Sequence, residues 1–208
     1  MDVEMAYRDW SLQYDTNLNK TRDLEAIALK ETIGQYQFEH CLEIGCGTGK
    51  NTGWLGQICQ KVTAVDLTKE MLEIAKSKIN AANINFVKAD INEEWNFANN
   101  KYDLATFSLV LEHIRDLEPV FEKLSKVMVQ EGYVYIGELH PFKQYAGSKA
   151  RFMTEHGEQV VNCYNHHLSD FYTAAQKAGF VIEQFNEYFD DNDRTSIPRI
   201  LTILCKKI

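Results

Sequence analysis

Apolar and polar positions along the chain follow two alternating patterns. Short apolar runs, bounded by turn-forming residues, have the length and composition of strands. Between them lie longer stretches with apolar residues three and four apart, the period of an amphipathic helix. Thr21 to Gln35 places Leu24, Ile27, Ala28 and Leu29 on one face and predicts a helix. Cys41 to Ile44 predicts the first strand, Asn51 to Gln60 a helix and Val62 to Val65 the second strand. Thr68 is placed to cap a helix running to about Ala81, with Met71, Leu72, Ala75 and Ile79 facing inward. Ile84 to Lys88 and Tyr102 to Phe107 read as the third and fourth strands. Leu117, Val120, Phe121, Leu124, Val127 and Met128 then recur at helical spacing, and Gly132 is positioned as a left-handed cap.

Tyr133 to Glu138 predicts a fifth strand. The stretch Leu139 to Leu168 shows no clear period. Ser169 is placed to cap a last helix, with Phe171, Tyr172, Ala175 and Ala178 on one side and Gly179 at its end. Phe180 to Phe185 and Ile200 to Cys205 close the chain as strands, and the short polar connection Asp190 to Arg194 makes them an antiparallel hairpin at one edge. Strands alternating with helices predict an α/β fold around a parallel sheet. A chain of 208 residues fits one domain.

The segment Leu42-Glu43-Ile44-Gly45-Cys46-Gly47-Thr48-Gly49 is a glycine-rich turn directly after a strand, and Asp66 closes the next strand. That order marks a nucleoside-bearing cofactor held at the strand ends. The glycines run Gly45-x-Gly47-x-Gly49, and Lys50 occupies the place of the third glycine of the dinucleotide fingerprint. Glu43, two residues before the first glycine, suits a cationic ligand better than a pyrophosphate. S-adenosylmethionine carries both a sulfonium and an ammonium group.

Composition narrows the field further. A formal net charge of −8 argues against a broad basic face for nucleic acid. Met1 to Asp9 is charged and has no apolar signal core, and no apolar run approaches the roughly 20 residues of a membrane span, so the expectation is a cytoplasmic protein without a membrane partner. The five cysteines form no Cys-x-x-Cys pair, which predicts free thiols and neither a disulfide framework nor a metal site. Cys46 sits inside the glycine turn, where a small side chain fits.

With these motifs in view, the sequence resembles the class I S-adenosylmethionine-dependent methyltransferases, and within them the small-molecule branch that includes quinone C-methyltransferases and carboxyl O-methyltransferases. The resemblance covers nearly the whole chain. Glu43-x-Gly45-x-Gly47-x-Gly49 carries it most specifically. Asp66-Leu67-Thr68 with Met71, Asp90-Ile91, and Tyr102-Asp103-Leu104 through Leu111-Glu112-His113 are similar to the motifs that follow. Gln130-Glu131-Gly132 departs from the family's usual Pro-Gly-Gly.

The resemblance implies a Rossmann-like three-layer sandwich whose seven-stranded, mostly parallel sheet has its last strand antiparallel. It also implies roles. Gly45, Cys46 and Gly47 let the backbone approach the methionine part of the cofactor, and Glu43 organises the turn or accepts from the ammonium group. Asp66 accepts from the ribose hydroxyls. Leu67 and Met71 sandwich the adenine, Asp90 accepts from its amine and the Ile91 N–H donates to the ring. Phe107 and Ser108 lie near the sulfonium. Tyr7-x-x-Trp10-Ser11-x-x-Tyr14-Asp15 is similar to a segment that folds over the cofactor, which makes residues 1–37 a helical cover and Tyr14 a methionine-end contact.

The aperiodic stretch 139–168 follows strand five at the ligand-binding edge of the sheet and reads as an acceptor lid. It holds His140, Tyr145, Arg151, His156, Tyr164, His166 and His167. His140, directly after the strand, is the first expectation for a base and His166 the second, with Arg151 and Tyr164 as acceptor binders. His113 reads as a residue that fixes the loop after strand four. The expected reaction is in-line methyl transfer to a small-molecule acceptor by a monomer or homodimer. Two other classes use the same sheet. A nicotinamide-dependent oxidoreductase would want a glycine at Lys50 and a Tyr-x-x-x-Lys pair. A non-catalytic S-adenosylmethionine-binding protein would need no acceptor chemistry at all.

Overall fold

A computed structural model describes residues 2–16, 18–99, 101–154 and 157–208. The apolar runs become strands β1 (Phe38–Ile44), β2 (Cys59–Asp66), β3 (Ile84–Lys88), β4 (Tyr102–Ser108) and β5 (Met128–Leu139). Two short strands, β6 (Arg151–Thr154) and β7 (Gly157–Val160), pair separately, and β8 (Phe180–Tyr188) and β9 (Ile200–Lys207) follow. The helices are α1 (Val3–Tyr14), α2 (Lys20–Ile33), α3 (Thr52–Ile58), α4 (Lys69–Lys78), α5 (Leu117–Val127), α6 (Pro141–Tyr145) and α7 (Leu168–Lys177).

The main sheet has the order β3-β2-β1-β4-β5-β9-β8. The pairs from β3 to β5 are parallel, and β9 runs antiparallel between β5 and β8. Successive strand residues point to opposite faces, which makes two cores. On one face Leu42, Ile44, Phe107 and Ile136 meet α5 and α7. On the other, Cys41, Leu104, Tyr135 and Leu204 meet Leu29 and Ile33 of α2 and Leu55 of α3. The result is the expected three-layer α/β sandwich. A third, smaller cluster joins Ala6 and Trp10 of α1 to Phe152 and Val161, with the Trp10 and Phe152 rings stacked at 5.0 Å and 13°.

Several boundaries differ from the sequence reading, each for a local reason. Asn19 caps α2, its side chain accepting from Thr21 N and Arg22 N at 3.0 and 3.1 Å, so the helix begins one residue early. Helix α5 stops at Val127, and β5 starts at once. Gly132 is not a left-handed cap: Glu131 takes the left-handed conformation, φ +64°, inside an irregular stretch of β5. Gly132 is needed for space, since a Cβ there would lie 3.0 Å from Val129 O and 3.3 Å from Asp103 O. His167, not Ser169, is the N-cap of α7, with its N–H donating to the Asp170 carboxylate at 2.8 Å. Gly179 ends that helix at φ +80°, as expected. The 139–168 stretch contains α6 and the β6–β7 hairpin, elements too short to show a period. Among the described residues no helix is long and apolar enough to cross a membrane.

Phe121 joins the strand and helix layers. It is fully buried on α5 and stacks on Phe107 of β4, with Phe180 of β8 edge-on. Phe121→Ala is expected to cost about 3–5 kcal/mol in urea unfolding, because the cavity it leaves is walled by strands that cannot collapse into it.

Candidate active site at the carboxyl ends of the strands

Strand order reverses between β1 and β4, and their carboxyl ends diverge to leave a crevice, where ligands bind in open α/β sheets. The glycine turn is built into its wall. Gly45 N and Cys46 N donate to Val65 O at 2.8 and 3.0 Å, tying the turn to β2. Gly45 has φ +72°, and a Cβ there would lie 2.2 Å from the Val110 side chain. Gly47 has φ +53°, and a Cβ there would meet nothing within 4 Å, so its backbone faces open space. Asp66 fixes this arrangement. Its Oδ2 accepts from Gly47 N and its Oδ1 from Thr68 N, both at 2.8 Å. Burial pushes its carboxyl above the usual range, and the same two N–H groups oppose that shift.

Three cavities adjoin here. The first, about 220 Å³, has Asp66, Leu67, Asp90, Ile91, Ser108 and His113 in its wall. The second, about 50 Å³, lies over the glycine turn and is lined by Arg22, Glu43, Gly45, Cys46, Thr48 and Asn51 among others. The third, about 340 Å³, lies under α1 and residues 148–151 and includes Tyr7, Trp10, Glu112 and Arg151. Two residues, Tyr14 and Leu109, line all three.

Both residues at that junction are held firmly. Leu109 is left-handed, φ +58°, an uncommon state for a branched residue, and its N–H donates to Gly137 O at 2.8 Å. The next two N–H groups, of Val110 and Leu111, donate to Glu138 Oε1 at 2.9 and 2.8 Å. Burial and then the nearby Glu112 charge push the Glu138 carboxyl up to about 8. Tyr14 lies under the Arg22 guanidinium, 3.9 Å from Cζ to ring centroid, and its carbonyl accepts from Arg22 Nη1 at 2.6 Å. Burial raises its phenol to about 12.

The structure brings most of the expected cofactor residues to the crevice. Asp66, Leu67, Asp90, Ile91, Ser108, Tyr14, Gly45 and Gly47 line the first cavity. Glu43 and Cys46 line the second. Asp90 also spends one oxygen on a turn, accepting from Asn92 N at 2.8 Å. Two residues do not reach the crevice. Met71 is buried on the inner face of α4, and Phe107 points into the core under α5. Ile91, Val110 and Ile114 supply the apolar wall that Met71 was expected to share with Leu67.

The expected bases also lie elsewhere. Leu139 faces the third cavity, and alternation turns its neighbour His140 away. His140 is buried, caps α6 by accepting from Phe142 N at 3.2 Å, and has Nε2 3.2 Å from Glu187. His166 Nε2 sits 2.8 Å from Ile114 O and 3.1 Å from Leu111 O, pinning the loop after β4. Tyr164 donates its backbone N–H to Glu112 O at 2.7 Å and keeps its ring outside the three cavities. Arg151 does line the third cavity. His156 lies outside the described residues.

Among the described residues, the imidazole that reaches the crevice is that of His113. Its Nδ1 is 2.9 Å from Asn162 O, and its Nε2 is 2.8 Å from the Tyr7 hydroxyl. A carbonyl only accepts, so in the neutral ring Nδ1 carries the proton and Nε2 accepts from Tyr7. Tyr7 lines both the first and third cavities. Burial raises its phenol well above the usual range, which keeps it protonated. Sequence reasoning gave His113 a loop-fixing role and Tyr7 none of its own. The available signal was the spacing of Tyr7, Trp10 and Tyr14 at i, i+3 and i+7, one face of a helix.

Glu112, His113 and Cys163 place potential ligand atoms within 4.8 Å of one another. Both His113 nitrogens are engaged in the bonds just described, and burial raises the Cys163 thiol to about 12. These groups are hydrogen-bonding partners as they stand, not a prepared cation site.

The donor set fits a cationic nucleoside. Glu43 Oε2 is buried without a hydrogen-bond partner, next to the glycine turn. An ammonium group would satisfy it. Asp66 retains acceptor capacity on both oxygens, since a carboxylate has about four lone-pair positions and two are used.

Comparison with known proteins agrees with this geometry. A family model described as "Methyltransferase domain" matches residues 42–136. An uncharacterized methyltransferase of Emericella nidulans is 25% identical over 87% of this chain and 76% of its own length. A ubiquinone biosynthesis O-methyltransferase of Vibrio atlanticus is 27% identical over 68% of this chain and 62% of its own. An uncharacterized methyltransferase of Schizosaccharomyces pombe matches over 38% of its length, so the chain spans only part of some relatives. Among solved structures, DhpI bound to S-adenosylhomocysteine superposes with a TM-score of 0.77 at 20% identity, over 99% of this chain and 95% of that one. The Bradyrhizobium japonicum N-methyltransferase NodS gives 0.71 at 14% identity, over 99% and 96%.

The buried carboxyl of Glu43 has a consequence for pH. Burial raises it from an ordinary 4.5 to about 8. The folded state therefore holds a proton that the unfolded chain has released, and stability falls as pH climbs from 4.5 through 8. Urea titrations of Glu43→Gln across that window are expected to show a shallower decline than the parent protein, by up to about 1.4 kcal/mol per pH unit.

Proposed function

We propose that the protein transfers a methyl group from S-adenosylmethionine to a small-molecule acceptor that enters through the third cavity. On this reading the chain is a single class I S-adenosylmethionine-dependent methyltransferase domain, supported by the match of a family model described as a methyltransferase domain over residues 42–136. The observation that carries this reading is the meeting of all three cavities at Tyr14 and Leu109. A ligand with an adenosine end in the first cavity and an amino-acid end in the second has its central atom at that junction. The third cavity opens on the same point.

Each wall then has a task. Asp66 accepts from the ribose hydroxyls, and Asp90 and the Ile91 N–H meet the adenine edge, with Leu67, Ile91 and Ile114 against its faces. Glu43 takes the ammonium group, with Gly45, Cys46 and Gly47 as the turn beneath it. Ser108 and Tyr14 lie beside the sulfur. Met71 and Phe107 support these walls from behind. Residues 1–37 act as the cover and 139–168 as the acceptor lid of a single domain.

When bound, S-adenosylmethionine supplies a methyl carbon on a sulfonium, a good leaving group. The chain's contribution is chiefly placement, since a nucleophile held in line about 3 Å from that carbon needs little else. Where the nucleophile carries a proton, the Tyr7–His113 pair takes it. The acceptor proton passes to the Tyr7 oxygen as the Tyr7 proton passes to His113 Nε2. Glu112, with Oε1 3.9 Å from Nε2, favours the resulting imidazolium. Trp10, stacked on Phe152, closes the cavity against water.

The same reading assigns no nucleic-acid partner, in line with the net charge of −8. It assigns the protein to the cytoplasm as a monomer or homodimer, where its five free cysteines stay reduced.

Calorimetry with S-adenosylmethionine and S-adenosylhomocysteine tests the cofactor site. Asp66→Ala is expected to weaken both by about ten- to hundredfold, the loss of charge-assisted hydrogen bonds. Unchanged affinity would remove Asp66 from the site. With an acceptor found by screening hydroxyl and amine compounds, His113→Gln is expected to slow turnover about a hundredfold or more under saturating cofactor.

A further inference from the structure

The third cavity carries a charge opposite to that of the molecule around it. The chain has 22 Lys and Arg against 30 Asp and Glu. Yet among the described residues the cavity is lined by Arg22, Lys149, Arg151 and Arg199, with Glu112 as the single acid. Glu112 is buried with its Oε1 3.9 Å from His113 Nε2, so its charge is directed at that imidazole.

The four cations are not equivalent. Arg199 is clamped by both oxygens of Asp190, at 2.5 and 2.6 Å. Arg22 is occupied with Tyr14 and also lines the second cavity, at the cofactor end. Lys149 and Arg151 line the third cavity and neither of the other two. Among the described residues Lys149 has no ion pair, and its charge reaches Cys163, beside His113. Arg151 is 3.5 Å from Glu158 in a pair about half exposed on both sides. Such a pair is weak and yields readily to a better acceptor. Lys149 and Arg151 flank Ala150 where the chain enters β6, and Arg151 Nε and Nη2 also reach Lys149 O and Gly147 O at 3.4 and 3.3 Å. Between them Ala150 O accepts from Val161 N at 3.0 Å, which fixes the segment.

We propose that Lys149 and Arg151 form an oxyanion-binding subsite and that the acceptor is an anionic small molecule, a carboxylate or a phosphoryl compound, anchored there by its charge. The proposal rests on the third cavity being the acceptor site. The anchoring charge and the methylated atom are separate groups. A carboxylate has no proton to lose at neutral pH, whereas the Tyr7–His113 pair has a task only with a proton-bearing nucleophile. The acceptor therefore carries an anion at the lid and a hydroxyl or amine at the junction of the cavities.

The test uses the full chain labelled with nitrogen-15 and saturated with S-adenosylhomocysteine. Inorganic phosphate, acetate and, as a neutral control, acetamide are titrated while the amide resonances of residues 149–151 are followed. At least one anion is expected to shift them saturably at millimolar concentration, and acetamide is not. Which anion binds separates the phosphoryl from the carboxylate form. The double variant Lys149→Gln, Arg151→Gln is expected to weaken that binding about tenfold or more, with S-adenosylhomocysteine affinity within about twofold of the parent. Both side chains are at the surface of the lid, and wild-type titration stands alone if the variant does not fold. Absence of anion shifts, equal shifts with acetamide, or undiminished anion binding by the folded variant would overturn the subsite. Failure of S-adenosylhomocysteine to bind at all would instead remove the methyltransferase reading, and the subsite with it.

Discussion

One carboxylate joins the parts of the crevice. Asp66 ends β2, yet its two oxygens hold the glycine turn after β1 and the first N–H of the segment that starts α4. A backbone turn with three left-handed glycines has few side chains of its own to hold it, Thr48 Oγ1 donating to Asp15 at 2.6 Å being one. Its shape comes from Val65 O on one side and Asp66 on the other. The same carboxylate keeps lone pairs beyond these two bonds, so on the proposed reading one group would carry both structural and binding duties. This explains why a buried acid here is not simply a cost: two backbone dipoles partly solvate it before any ligand arrives.

A second buried acid repeats the logic across the crevice. Glu138 reaches from β5 to the N–H groups of Val110 and Leu111 and shapes the left-handed turn at Leu109. Glu25 does so with side chains, accepting from Tyr135 Oη at 3.1 Å and Asn51 Nδ2 at 3.0 Å beside the second cavity. Burial raises the carboxyls of Glu25, Glu43, Asp66, Glu112 and Glu138 alike. A cationic ligand lowers the cost of ionising such a group, and the acids nearest the second cavity are placed for that effect.

Features written in the backbone were legible in the sequence. The glycine turn, Asp66 and the succession of strands and helices follow from φ/ψ limits and from apolar period, which a sequence displays directly. Features that depend on which side chain meets which were not. His140 and His166 looked alike as candidates, yet one is a helix cap and the other a clamp on two carbonyls. His113 acquires its tautomer from Asn162, a partner 49 residues away. Met71 and Phe107 fell on the right elements but on their inward faces. The lid hairpin escaped notice because four-residue strands are too short for a period to register, and Gly132 misled because a glycine chosen for tight packing looks like one chosen for handedness.

The position of β9 has a consequence for how the chain is made. This strand lies in the interior of the sheet, between β5 and β8, although it comes last in sequence. During synthesis β8 emerges first and has no partner in the main sheet until β9 follows it. The edge of β5 is likewise bare until then, an apolar ledge open to wrong partners. The sheet is thus closed late, and the nascent protein passes through a stage in which chaperones have an exposed strand to shield.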